Sequence, residues 1–113
     1  MPTVSIVLAD TDLKLEGVIR RLVEAYQPRR IYLFGSVARG EAGPDSDYDL
    51  LVLVPDDAPP ARRSSRVGYQ ALRGTGVAAD VIVWTEGAFL RRATVPSSLP
   101  AIVVREGKIL HDA

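Results

Sequence analysis

Two aspartates, Asp47 and Asp49, lie two positions apart directly before an apolar run at residues 50–54. At the start of a β-strand, residues i and i+2 project from the same face, so we expect the two carboxylates to lie several ångströms apart. Two negative charges that close repel each other, and a cation between them would replace that repulsion with binding. Magnesium prefers carboxylate oxygens and keeps positions open for water and phosphate. The pair therefore predicts a magnesium site, although an isolated Asp-x-Asp is more often a solvated turn or a helix cap.

A third acid, Asp80, begins the apolar stretch at residues 81–84. A carboxylate at the head of a buried strand needs a partner, because burying it unpaired costs free energy. If this strand neighbours the strand after Asp49, then Asp80 can join Asp47 and Asp49 on one face. Three carboxylates around one or two divalent ions are the arrangement that two-metal phosphoryl chemistry uses. We therefore take these three aspartates as the candidate catalytic and metal-binding residues.

A possible phosphate site lies close by in the sequence. Gly35 and Ser36 follow a predicted strand at residues 31–34 and open a short predicted helix. Backbone N–H groups and a hydroxyl at a helix N-terminus can bind an anion. Arg39 lies between this pair and the aspartates, where it could place a positive charge near a bound phosphate. It could equally form an ion pair with Glu41, and the sequence does not decide between the two.

The pattern of apolar residues predicts the elements that position these side chains. A helix from about residue 11 to Tyr26 is indicated by apolar positions that recur every three or four residues. We further predict strands at residues 31–34, 50–54, 79–85 and 108–110, and helices at residues 36–39, 61–73, 86–93 and 99–105. Residues 4–8 would form either an edge strand or a partly ordered arm. The unbroken apolar run at 50–54 indicates a strand that is covered on both faces. Together these elements predict one α/β domain over residues 1–113, with helices packed on a small mixed sheet.

Composition excludes several classes of function. The 113 residues include 14 basic and 14 acidic residues, and 47% are hydrophobic. This balance argues against direct nucleic-acid binding, which usually requires a strongly basic domain. The chain has no cysteine, which excludes disulfides, thiolate nucleophiles and cysteine-bound zinc. No signal peptide and no membrane-length apolar segment is apparent, so we expect a cytoplasmic protein that does not contact a membrane.

Four arginines lie on the third predicted helix: Arg62, Arg63, Arg66 and Arg73. The simpler interpretation is a solvated helix face. A contact with nucleic acid or with a partner protein is the alternative.

The stretch from Tyr32 to Val54 resembles the minimal nucleotidyltransferases (MNT) of the DNA polymerase beta superfamily. Their signature is Gly-Ser, ten residues, then Asp-x-Asp, and here Gly35-Ser36 is followed by residues 37–46 and then by Asp47-Tyr48-Asp49. The third acid of the family lies on a later strand, a position that Asp80 fits. The sequence departs from the family pattern at none of these positions, which favours an active member.

The resemblance implies a polymerase-beta-like nucleotidyltransferase fold and transfer of AMP from ATP. Gly35 and Ser36 would hold the β- and γ-phosphates, with Arg39 as a further nucleotide-binding candidate. Asp47, Asp49 and Asp80 would bind two magnesium ions and serve as the catalytic carboxylates. The acceptor oxygen would attack the α-phosphorus, and pyrophosphate would leave.

The family's small members commonly pair with a HEPN-type ribonuclease toxin, and some transfer AMP to a tyrosine of that toxin. By this resemblance, the chain is expected to act as the antitoxin in a hetero-oligomer with such a toxin. Two alternatives stay open. The protein could neutralise its partner by occlusion without catalysis, or it could transfer a nucleotide to a small molecule.

Overall fold

The computed structural model describes residues 10–41, 43 and 47–113. Within these residues the chain forms five α-helices, one short 3-10 helix and four β-strands. In chain order they are α1 (Asp10–Tyr26), β1 (Arg30–Phe34), α2 (Gly35–Ala38), β2 (Tyr48–Val54), the 3-10 helix (Pro60–Arg63), α3 (Ser65–Ala71), β3 (Ala79–Thr85), α4 (Glu86–Arg92), α5 (Leu99–Glu106) and β4 (Lys108–Asp112).

The four strands form one mixed sheet in the order β3-β2-β1-β4. Strand β1 is antiparallel to both of its neighbours, and β2 runs parallel to β3. Parallel neighbours need a long crossover connection, which the 3-10 helix and α3 provide here. The mixed sheet with packed helices confirms the predicted fold class.

Helices cover both faces of the sheet, and each face has its own apolar cluster. Alternate residues of β2 divide between the clusters, because neighbouring side chains of a strand point to opposite faces. Leu50 and Val52 pack in the larger cluster with side chains of α1 and with Leu72, which caps α3. Leu51 and Leu53 pack in the smaller cluster with Phe89 of α4 and Val103 of α5. The prediction that residues 50–54 are covered on both faces is therefore confirmed.

The third predicted helix, at residues 61–73, is wrong as a single element. The chain forms the 3-10 helix Pro60–Arg63, breaks at Ser64, and resumes as α3. Ser64 has an extended backbone, with φ −96° and ψ 138°, and its side chain accepts a hydrogen bond from the N–H of Arg66 as the α3 N-cap. The Ser64 carbonyl accepts a hydrogen bond from the Tyr26 hydroxyl at 2.6 Å. Capping and this tertiary bond together favour the break over a continuous helix.

Tyr26 anchors α3 to α1 through its hydroxyl group. The side chain is fully buried, and the hydroxyl also accepts a hydrogen bond from the N–H of Gly68 at 2.7 Å. Burial raises the pKa of Tyr26, against the opposing effect of the Gly68 hydrogen bond, so the hydroxyl stays protonated and can donate.

We expect Tyr26→Phe to lower the free energy of unfolding by about 1–3 kcal/mol, because it leaves the buried N–H of Gly68 unpaired and removes one hydrogen bond to the Ser64 carbonyl. Chemical denaturation of the variant and the wild type measures this difference. Tyr69→Phe is the matched control, since Tyr69 is 47% exposed, and it should change stability by less than about 0.5 kcal/mol. Equal stability of the two variants would contradict the anchoring role.

Residues 4–8, expected as an edge strand or a partly ordered arm, lie outside the described residues. No helix within the described ranges is long and apolar enough to cross a membrane.

Candidate active site

The parallel pairing of β2 with β3 brings two of the three predicted aspartates together. Asp49 lies directly opposite Asp80 in the register of these strands. Both alternate with residues of the larger cluster, so their side chains lie on the α4 and α5 side of the sheet. The predicted proximity of these strands is therefore observed. Asp47 immediately precedes β2 and is exposed, as is Asp80, whereas Asp49 is half-buried.

The carboxyl group of Asp49 interacts electrostatically with Asp80, Asp47 and Arg39. Burial raises the pKa of the Asp49 carboxyl, and the negative charges of Asp80 and Asp47 raise it further. The positive charge of Arg39 acts in the opposite direction. Three carboxylates and one guanidinium therefore interact here, and negative charge dominates. Such a site favours the binding of a cation.

The donor set suits magnesium, because carboxylate oxygens are the ligands that this ion prefers. Among the described residues, however, no three acidic or histidine side chains stand close enough to enclose a metal ion. The carboxylates thus form an open arrangement, in which a bound ion would take its remaining ligands from water or phosphate. Asp47, Asp49 and Asp80 are the residues that would hold it, and this assignment remains a prediction.

Gly35 makes a close approach to Asp49 that sequence reasoning missed. Its φ of +77° lies in the left-handed region, and a Cβ at this position would collide with the Oδ2 atom of Asp49. Glycine is the residue that fits both the backbone conformation and the space. The sequence indicated a phosphate contact for Gly35. Its contact with Asp49 depends on the β1–β2 register, in which Phe34 lies opposite Asp49, and no local pattern signals that register.

Ser36 lies in the first turn of the four-residue helix α2 and is partly exposed. Its carbonyl accepts a hydrogen bond from the N–H of Glu41 at 2.9 Å, which folds the chain back after α2. No side chain caps the N-terminus of α2. The predicted short helix is confirmed, and the phosphate-binding role of Gly35 and Ser36 stays a prediction.

Arg39 forms ion pairs with two glutamates. Its Nε lies 3.0 Å from Oε1 of Glu41, and one terminal nitrogen lies 3.8 Å from Oε1 of Glu106. The pair with Glu41 that the sequence allowed is therefore present, and Arg39 also lowers the pKa of Asp49. Glu106 ends α5, far along the chain, and nothing in the local sequence indicated its proximity to the site.

The comparison with protein families identifies the class of protein that this fold and site define. The model of the nucleotidyltransferase domain family matches residues 15–110. This range includes the Gly-Ser pair and all three aspartates, and the chain belongs to this family. No match was found among curated proteins.

Solved structures of nucleotidyltransferases share the fold. One is a protein from Sulfolobus solfataricus assigned to the nucleotidyltransferases, with a TM-score of 0.57 and 21% identity over 86% of this chain and 76% of that chain. Another is a chain of a toxin–antitoxin complex solved with AMP-PNP, with a TM-score of 0.56 and 25% identity over 87% of this chain and 73% of that chain.

A further match comes from the complex of a tri-AMPylated Shewanella oneidensis HEPN toxin with its MNT antitoxin. Its TM-score is 0.52, with 21% identity over 90% of this chain and 72% of that chain. The fold of this protein is therefore also the fold found in toxin–antitoxin complexes of the MNT and HEPN type.

Proposed function

We propose that this protein is a magnesium-dependent adenylyltransferase that acts as an antitoxin by transferring AMP from ATP to a tyrosine hydroxyl of a HEPN ribonuclease toxin. The observation that carries the proposal is the register pairing of Asp49 with Asp80. Gly35 supports it, because its missing side chain gives the Asp49 carboxylate its space. Family membership adds the reaction class.

The residues of the site would have separate roles in the reaction. Asp47, Asp49 and Asp80 would hold magnesium, which supplies charge neutralisation at the phosphates and at the attacking and leaving oxygens. Gly35 and Ser36 would bind the β- and γ-phosphates through backbone N–H groups and the hydroxyl. The acceptor oxygen forms a bond to the α-phosphorus, the bond from that phosphorus to the bridging oxygen breaks, and pyrophosphate leaves. The hydroxyl proton passes to a nearby base or to water.

The exposure of the site favours a macromolecular acceptor. Asp47 and Asp80 are exposed, and β3 is an edge strand of the sheet. A tyrosine on the surface of another protein can therefore approach these carboxylates directly. The structures with AMP-PNP and with an AMPylated toxin suggest which nucleotide and which acceptor to test first. We expect a hetero-oligomer of the two proteins in the cytoplasm.

The direct test is incubation of the protein with α-labelled ATP, magnesium and a HEPN-type partner. The partner should become labelled, and the label should be lost when its acceptor tyrosine is changed to phenylalanine. Absence of label with a folded protein and a folded partner would overturn the catalytic proposal.

The double variant Asp47→Asn with Asp49→Asn separates catalysis from occlusion. If catalysis underlies neutralisation, this variant should leave the ribonuclease activity of the partner intact. Full neutralisation by the double variant would show that binding suffices. Transfer to a hydroxylated small molecule without any partner would instead indicate a small-molecule enzyme.

A further inference from the structure

An open groove lies along α3, away from the aspartates. Its volume is about 620 Å³. Helix α3 packs on α1 and on the larger apolar cluster, so the groove belongs to the face of the sheet opposite Asp49 and Asp80. The lining residues are all polar or aromatic, and none is aliphatic: Ser64, Ser65, Arg66, Tyr69, Gln70 and Arg73.

The groove is positively charged, although the chain as a whole is neutral. Residues 58–79 contain four arginines and no acidic residue. In the described part of the chain, neither Arg66 nor Arg73 forms an ion pair. Arg21 lies next to the groove without lining it, and its guanidinium donates hydrogen bonds to the carbonyls of Ala71 at 3.2 Å and Arg73 at 3.0 Å. The net charge of zero thus hides an uneven distribution of charge.

An exposed aromatic ring lies among these cations. Tyr69 is 47% exposed and makes no ring contact within the described residues. It follows Arg66 by three positions on α3, which is the spacing of neighbours on one helical face. Arg73 lies in the turn just after α3 and lines the same groove. Gln70 adds an amide that can both donate and accept hydrogen bonds. Guanidinium groups along a groove with an open aromatic ring are the combination that binds single-stranded nucleic acid.

We propose that this groove binds single-stranded nucleic acid without sequence preference. Arg66 and Arg73 would contact successive stretches of the phosphate backbone, and Tyr69 would stack on a base. An acidic protein segment fits less well, because protein interfaces have an apolar centre and this groove has no aliphatic lining. The proposal revises the expectation from net charge, and it does not depend on the proposed transferase function.

The test is fluorescence anisotropy with a labelled single-stranded RNA of about twelve nucleotides, a length within the usual site size. We expect saturable binding at 50 mM salt that weakens as salt is raised. Arg66→Gln with Arg73→Gln should reduce the slope of log K against log salt by about 1.4, since each phosphate contact contributes about 0.7. Tyr69→Leu should weaken binding by about fivefold or more, whereas Tyr69→Phe should bind like the wild type.

The matched control is Arg91→Gln with Arg92→Gln, which removes two exposed arginines from the last turn of α4, outside the groove. An equal loss of binding in the control would show that general electrostatics bind the RNA, and would overturn the proposal. Absence of saturable binding at 50 mM salt would also overturn it. So would tighter binding of a labelled poly-glutamate peptide than of RNA, since that result would assign the groove to an acidic protein segment.

Discussion

Asp49→Asn is expected to reduce nucleotidyl transfer by at least about 100-fold while making the metal-free protein more stable. The loss of activity follows because the amide removes a charged ligand from the proposed magnesium site, whose stabilisation of the transition state is worth several kcal/mol. The gain in stability follows because the ionised Asp49 carboxylate is unfavourable in the folded protein. Burial raises its pKa, and the negative charges of Asp80 and Asp47 raise it further. Transfer assays and thermal unfolding without divalent ions measure the two effects.

The titration of Asp49 makes the free energy of unfolding depend on pH. Because the pKa of Asp49 is higher in the folded state, the folded protein holds this proton more tightly than the unfolded chain does. The free energy of unfolding should therefore fall as pH rises from the unfolded value, near 3.8, through the higher folded pKa. Asp49→Asn removes this contribution, so the stability advantage of the variant over the wild type should be greatest at neutral pH.

Ligand binding should reverse the order of stability. Magnesium with a non-hydrolysable ATP analogue should raise the melting temperature of the wild type and leave that of Asp49→Asn nearly unchanged, because only the wild type would bind the ion. Asp57→Asn is the control, since Asp57 is an exposed acid beyond the far end of β2. Loss of transfer in that control, or a metal-free Asp49→Asn less stable than the wild type, would contradict the account of the site.

Gly35→Ala is expected to lower both stability and transfer. An alanine at φ +77° costs about 1 kcal/mol in backbone strain. Its methyl group would also displace the Asp49 carboxylate, since that oxygen already occupies the space. We expect a total loss of about 2–4 kcal/mol in the free energy of unfolding, and a loss of at least about tenfold in transfer, because small displacements at a catalytic centre have large effects. Denaturant titration and the transfer assay measure these losses.

Gly74→Ala is the matched control for Gly35→Ala. Gly74 has a nearly identical φ of +81°, but nothing lies within 4 Å of the position where a Cβ would be. It should therefore lose only the strain of about 1 kcal/mol and keep full transfer activity. If both variants lost the same stability and activity, the contact between Gly35 and Asp49 would have no role.

Much of the fold could be predicted from the sequence, because its strands carry strong local signals. The apolar runs at β2 and β3 leave few alternatives to buried strands, and the predicted bounds of β3 match the structure. The third helix was predicted wrongly, because helical spacing continues through Ser64 while the decisive hydrogen bond comes from Tyr26. Propensity was overridden there by a tertiary contact.

The candidate site likewise combines residues with a local sequence signal and residues placed only by the fold. Gly35, Ser36, Asp47 and Asp49 lie at characteristic spacing within one short stretch, so sequence reasoning could find them. The positions of Asp80 and Glu106 depend on strand register and helix packing, which become known only with the fold. Asp80 was predicted because a carboxylate at the head of an apolar strand is unusual. Glu106 has no such signal, since an acid at the end of a surface helix is ordinary.

The parallel pairing of β2 with β3 has a consequence for the order of events during synthesis. A ribosome completes β1, α2 and β2 well before the crossover and Asp80 emerge, so the nascent chain carries the whole Gly-Ser and Asp-x-Asp motif without its third carboxylate. Asp80 joins the site only when β3 docks in register, and a slip of one residue would turn it to the opposite face. The edge strand β3 also brings Val81 into the larger apolar cluster. Phe89, Val103 and Leu110 follow β3 in the chain and complete the two apolar clusters. We therefore expect the pairing of Asp49 with Asp80 to form only late in synthesis, and a chain that ends before β3 to show no nucleotidyl transfer.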